Sequence, residues 1–422
     1  VSILVMDTMV KELVDYTQNK WKLENYYLYS YHFYRQVSML NETVYILSME
    51  WYPSHITDIA DEDSNPEGTA VIEIDVSSRQ FKSVIFVGDI SFVNGIVIHD
   101  QNDIIKWVEK EMALKYREQF ILQHEAEREF HFGGCIHGVT VFPPASIRVN
   151  FNKENKLTLF SNFGHFPSTE TVLEEKFSLT VNELEEHTKN QLKLVEIPSR
   201  KHKMFMPVYC IEELYVTNDR PHVIPFYDVS SQIKIDNVMH WDTSIRKSFK
   251  RKPLDLSDEI TLEQVFSLVP HPDLFPITST EIERCINVVK DFLSNVYHND
   301  SGKWILKTLH RENGYFVANL KETDKVERVS IRKLRLFIDT KTIKVCNYMD
   351  NKDFMEMYEG FKESAAITIN KDTAYAAIKS KLELKPVYVY DFEQNKYLLC
   401  GEINSKFGVN AINGELTNLN DL

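Results

Sequence analysis

Histidine, cysteine and glutamate crowd into one short run, His124-Glu125-Ala126-Glu127-Arg128-Glu129-Phe130-His131-Phe132-Gly133-Gly134-Cys135-Ile136-His137. Imidazole, thiolate and carboxylate groups are the ligands zinc prefers. A hairpin turn at Gly133-Gly134 would bring His131, Cys135 and His137 together across its two arms. These three are the candidate metal ligands, and their chemistry would be metal-assisted hydrolysis. The run is not H-E-x-x-H, because Arg128 stands three residues after Glu125. As a strand it puts His131 on the face of Glu125, Glu127 and Glu129, and His124, Arg128 and Phe130 on the other. A surface hairpin of mixed charge is the preferred reading, with metal binding as the alternative.

A second cluster holds Asp58, Asp61, Glu62, Asp63, Asn65 and Glu67. It begins like a calcium loop, but Pro66 stands where a sharp turn needs glycine, and Ile72 replaces the closing glutamate. It reads as a solvated acidic loop. Asp75, Asn150, Asp228, Asp339 and Asn410 recur near the ends of apolar strands. Their short polar side chains suit capping of the turns that follow, ahead of any metal role. The pairs Glu185-Glu186 and Glu212-Glu213 are ordinary exposed charges. With 13 glycines in 422 residues, the chain has no G-x-G-x-x-G, no P-loop and no G-x-S-x-G. Those motifs need glycine for tight turns or close backbone approach. No catalytic residue and no cofactor is expected.

Charge and cysteine narrow the setting. The net charge of −14 argues against a phosphate backbone as partner. The local basic run Arg246, Lys247, Lys250, Arg251 and Lys252, with Phe249, reads as a solvated linker. Cys135, Cys210, Cys285, Cys346 and Cys400 are odd in number, widely spaced and without C-x-x-C. Buried free thiols in a reducing cytoplasm are expected; a leader removed ahead of Val1 stays open. Val84 to Ile98 is the most apolar stretch, but Asp89 and Asn94 interrupt it and it falls short of the ~18–20 residues of a membrane span.

The elements that carry these residues repeat. An amphipathic helix, alternating strands and a closing hairpin recur five times. The helices are expected at about Asp7–Trp21, Asn102–Tyr116, after the capping box Thr180-Val-Asn-Glu183, after Thr280-Glu281, and at Lys371–Leu382. The closing hairpins are Ala70–Asp75 with Phe81–Val87, Ile147–Phe151 with Leu157–Phe160, Val223–Asp228 with Ile233–Val238, Leu334–Asp339 with Ile343–Tyr348, and Phe407–Ala411 with Leu416. Asn313-Gly314 marks a further two-residue turn. The strand Tyr26–Tyr34 carries aromatics on both faces: Tyr27, Tyr29, Tyr31 and Phe33 on one, and Tyr26, Leu28, His32 and Tyr34 on the other. Packing between units is the preferred role of the extra face, with a binding surface as the alternative. The expected divisions are 1–95, 96–170, 171–242, 243–360 (a linker helix plus the fourth unit) and 361–422, each too small to bury much core alone.

The last hairpin, Val409-Asn410-Ala411-Ile412-Asn413-Gly414-Glu415-Leu416, resembles the apolar-Asp-Ala-x-Thr-Gly-Glu-apolar ending of PepSY modules. With the helix before it and Lys385-Pro386-Val387-Tyr388-Val389-Tyr390, residues 361–422 are similar to the YcdB/YcdC repeat family of Bacillus-type bacteria. The resemblance implies an α+β fold of tandem PepSY-like units, each a helix on a short antiparallel sheet. PepSY modules occur in propeptides of secreted metallopeptidases, which implies a protein partner of the peptidase or envelope class. It carries over no catalytic residues. The expected function is non-enzymatic binding or inhibition of a protein partner through sheet faces or edges, with no nucleic acid and no membrane span. The alternatives are a metal-dependent hydrolase built on His131, Cys135 and His137, or a purely structural scaffold.

Overall fold

In chain order the elements are α1 (Thr8–Trp21), β1 (Tyr26–Val37), β2 (Thr43–Pro53), β3 (Ala70–Asp75), β4 (Phe81–Phe86), α2 (Gln101–Met112), β5 (Phe120–Ala126), β6 (Glu129–Ile136), β7 (Val139–Phe142), β8 (Ser146–Phe151) and β9 (Leu157–Phe163). Then come α3 (Glu185–Gln191), β10 (Leu192–Ser199), β11 (Met204–Ile211), β12 (Leu214–Thr217), β13 (Val223–Ile224), β14 (Ile233–Met239), α4 (Leu262–Phe266), α5 (Ser279–Val296), β15 (Trp304–Glu312), β16 (Tyr315–Glu322), β17 (Lys333–Asp339) and β18 (Val345–Asp350). The chain ends with α6 (Lys352–Met355), α7 (Lys371–Ile378), β19 (Glu383–Asp391), β20 (Lys396–Asn404), β21 (Phe407–Asn410) and β22 (Leu416–Asn418). This is a computed structural model that describes residues 7–56, 64–93, 98, 100–168, 172, 176–219, 222–224, 232–242, 248–256, 260–323 and 328–422. Asp58, Asp61, Glu62, Asp63, Asp228, Arg246 and Lys247 lie outside the described residues. The class is α+β, dominated by antiparallel sheet, and two compact units emerge: Val1–Glu174 with Asp258–His271 and Val387–Leu398, and Glu175–Ser257 with Pro272–Pro386 and Leu399–Leu422.

The first unit is two helices on a broad sheet. Asp7 caps α1 by accepting the Met9 N–H at 2.8 Å, and Asp100 caps α2 through the Asp103 N–H at 3.0 Å. Val10, Leu13, Val14, Thr17 and Trp21 form the buried stripe of α1, and Ile104, Ile105, Val108 and Met112 that of α2. The strands run β1-β2-β3-β4-β9-β8-β6-β7, β5 pairs off β6, and the start of the 387–398 stretch lies parallel to β7. One sheet face supplies Leu47, Met49, Trp51, Ile72, Val84, Phe160, Val149 and Phe132 to the core under the helices.

The second unit repeats the helix-on-sheet arrangement. In α5, capped by the reciprocal Thr278–Glu281 box, Cys285, Val289, Phe292 and Leu293 pack on Trp304, Leu306, Phe316 and Leu336 of the meander β14-β15-β16-β17-β18. Beside it, α7 sets Ala374, Tyr375 and Ile378 against the sheet β10-β11-β21-β22. The expected Asn313-Gly314 turn is present, with φ of 49° and 77° joining Glu312 to Tyr315.

Several expectations need correction. The third closing hairpin does not form: Ile224 pairs with Tyr215, whereas β14 pairs with β15. Strand β10 lies outside the expected strands. The Thr180–Glu183 box makes its reciprocal hydrogen bonds, but α3 begins only at Glu185. Asp75, Asp339 and Asn410 cap their turns as expected, accepting from the Ser77, Thr342 and Ile412 N–H groups at 2.9, 2.7 and 2.8 Å. Asn150 does not. The turn starts two residues later, so Asn152 takes the Glu154 and Lys156 N–H groups.

Candidate functional site

Of the proposed metal ligands, His131 and Cys135 sit along one strand and His137 lies at the turn that follows it. Gly133 and Gly134 are interior to β6, paired with Ile121 and Phe120. They are glycine because neighbours come close: a Cβ on Gly133 would stand 1.9 Å from Gln123 Nε2, and one on Gly134 2.9 Å from Ala145 Cβ. The chain turns instead at Glu127 (φ 47°) and at His137-Gly138 (φ 49° and 83°). His131 and Cys135 are therefore four residues apart on one strand, about 13 Å at ~3.3 Å per residue. Zinc bonds of ~2.0–2.3 Å cannot bridge that span. His131 faces His124 instead, ring centroids 5.6 Å apart. Burial first, then Arg148 and His124, hold its imidazole below the ordinary value. Burial pushes the Cys135 thiol up, and His137 is exposed at the turn. Among the described residues no group of three or more His, Cys, Asp or Glu is placed to hold a metal ion.

A different feature stands out at the end of the first sheet. Strand β1 is its terminal strand, twelve residues long, with β2 on one side. The pairing steps from Leu28↔Trp51 to Ser30↔Glu50, so Tyr29 is an extra residue, a β-bulge. The bulge breaks the expected single stripe of Tyr27, Tyr29, Tyr31 and Phe33. Tyr31 and Phe33 pair with Met49 and Leu47, on the core side, whereas Tyr27 pairs with Tyr52 on the opposite face. Tyr29 stacks on Tyr52 at 4.1 Å and 10°, and Tyr27 meets the same ring edge-on at 6.1 Å. The signal was present in the sequence as aromatics on both faces of one strand, but a bulge has no residue code of its own.

These aromatics remain open to solvent: Tyr27, Tyr29 and Tyr31 are 40%, 49% and 38% exposed. Phe33 is half-buried beside Phe266 of α4 at 6.3 Å. Polar anchors fix the strand on the face that carries Tyr27. Ser30 donates to Glu50 at 2.6 Å, and Tyr34 donates to Glu73 at 3.0 Å. Burial and then Glu73 push the Tyr34 hydroxyl up; burial and then Glu50 do the same for Tyr52. Both phenols are neutral donors at neutral pH. The arrangement supplies backbone hydrogen-bonding groups and aromatic surface, which is recognition chemistry.

No known protein family matches the chain, and no curated protein does. A solved structure similar to it is the Bacillus megaterium YpeB C-terminal domain, at 11% identity over 82% of this chain and 97% of that one, with a TM-score of 0.25. A score that low assigns neither family nor function. No helix among the described residues is long and apolar enough to cross a membrane.

Proposed function

We propose that the protein is a non-enzymatic binding protein that takes an extended segment of a protein partner along β1. A sheet edge exposes unpaired N–H and C=O groups, and a guest strand that pairs with them gains affinity from main-chain hydrogen bonds and specificity from alternate side chains. The observation that carries this reading is the twelve-residue terminal strand with three tyrosines left exposed. The run Ser30–Tyr34, beyond the bulge, is where a guest would pair. Tyrosine suits such a surface, offering large rigid area with a polar tip. The PepSY-like resemblance suggests a peptidase or envelope protein as partner, and we read the recurring helix-sheet order as five related modules.

The test is selection of random linear peptides against the immobilised full chain, followed by hydrogen–deuterium exchange with the best binder. Exchange is expected to slow at β1. The combined Tyr27→Ser, Tyr29→Ser and Tyr31→Ser variant is expected to bind at least tenfold more weakly, about 1.4 kcal/mol. Failure to enrich any peptide, or protection confined to another segment, would overturn the reading.

A further inference from the structure

The bulge in β1 turns two consecutive side chains, Tyr29 and Ser30, onto the face that carries Tyr27. Glu50 of β2 lies opposite Ser30, and Tyr52 lies two residues farther along the same face. The Glu50 carboxylate reaches toward β1, where Ser30 Oγ donates to its Oε2 at 2.6 Å. Asn65 Nδ2 donates to Oε1 at 3.2 Å and is oriented by the Tyr52 hydroxyl, which donates to Asn65 Oδ1 at 3.1 Å. These donors are neutral, Glu50 is only half-buried, and among the described residues no lysine or arginine pairs with it. A carboxylate has about four acceptor positions on its two oxygens, so about two remain for a further pair of donors. Beside it, the Tyr29 ring rests on Tyr52 at 4.1 Å and the residue stays 49% exposed. An aromatic face next to a carboxylate attracts a cation in two ways, through the ring quadrupole and through charge.

A guest paired with the outer side of β1 would run about 4.8 Å from it. Ser30 is the small residue on this face between Tyr29 and His32, so a long side chain opposite it passes only a hydroxymethyl group on its way to Glu50. Tyr34 makes a crossing of the same kind within the sheet: from β1 it passes over β2 and donates to Glu73 of β3 at 3.0 Å. Lysine and arginine both have the length, but only the flat guanidinium stacks on a tyrosine while forking two N–H groups onto one carboxylate. The net charge of −14 adds a general pull on a cationic segment.

We infer that the guest strand carries an arginine opposite Ser30, its guanidinium stacked on Tyr29 and paired with Glu50. The inference rests on the partner-binding reading above and names the side chain which that reading leaves open.

The experiment presents the immobilised full chain with four pools of acetylated and amidated nonapeptides. The pools differ only in the central residue, which is arginine, citrulline, lysine or glutamate. The flanks are drawn from valine, isoleucine, threonine and tyrosine, which favour extended chain and carry no charge. Retained peptides are counted by mass spectrometry, and hydrogen–deuterium exchange locates them. The arginine pool is expected to be retained at least tenfold more than the citrulline pool, which has the same shape without the charge, and more than the lysine pool. Glu50→Gln is expected to bring the arginine-to-citrulline ratio close to one, and Tyr29→Leu, at an exposed position, to lower it at least threefold. An arginine pool no better than citrulline, lysine or glutamate, with β1 protected, would overturn the arginine assignment and leave strand addition standing. A ratio unchanged in both variants would overturn the assignment as well. Protection of β1 by none of the pools would overturn both.

Discussion

Asp350 shows how a single residue couples charge to stability. Burial alone would push its carboxyl up, but Arg332 and Tyr297 more than offset that and hold it below the ordinary aspartate range. Arg332 donates to both carboxylate oxygens at 3.1 and 2.7 Å, and the Tyr297 hydroxyl adds a bond at 2.8 Å. A carboxyl depressed on folding stabilises the native state above its unfolded pKa of ~3.9, and that contribution disappears as pH falls through the folded value. Asp350→Asn is therefore expected to lower stability at pH 7 by roughly 3 kcal/mol, at the low end for a buried pair losing one partner. The variant's urea midpoint should also fall less steeply than the parent's below about pH 4. Identical acid limbs would contradict this. Residue chemistry was legible in the sequence where it is local. The turn-capping side chains Asp75, Asp339 and Asn410 act within three residues of themselves. The free cysteines were equally legible, and burial pushes the Cys285 thiol up to about 11. The His131–Cys135–His137 grouping misled because Gly-Gly reads as a turn, whereas here it makes room for Gln123 and Ala145, which are distant in meaning though near in space.

At the scale of elements, Asn313-Gly314 is the clearest case of a sequence signal fulfilled. Gly314 has φ 77° and nothing within 4 Å of a Cβ placed on it, so a substitution there tests backbone strain without a clash. Gly314→Val is expected to cost roughly 1–2 kcal/mol, the price of a left-handed β-branched residue, as a lowered denaturation midpoint of the β15–β16 hairpin's unit. An unchanged midpoint would mean the turn relaxes freely. Helices announced themselves equally well, because capping boxes and the 3.6-residue stripe are local codes. Sheet partners announced themselves inside the hairpins, as in β3–β4, β8–β9, β17–β18 and β21–β22, but not beyond them. Val223 and Ile233 look alike as apolar starts, yet one joins β12 and the other β15. Nothing in a strand's own alternation names its neighbour.

For the whole molecule, that same gap decides how far the repeats can be taken apart. The last helix and hairpin share their core with an earlier part of the chain: Val409 and Ala411 pack with Leu192, Tyr209 and Ile211, and β21 pairs with β11. Residues 361–422 expressed alone are expected to show no cooperative thermal transition by circular dichroism, for want of that surface. A sharp melt would show that this segment needs no help. The Tyr29 bulge has a consequence for many copies rather than one. A long, flat terminal strand is a template for its own kind, and a bulge twists it out of register with an identical neighbour. Deleting Tyr29 would straighten the edge, and light scattering should then reveal concentration-dependent self-association where the parent stays monodisperse. On the proposed reading, the residue that spoils the regularity of the strand would keep it available to a guest and closed to itself.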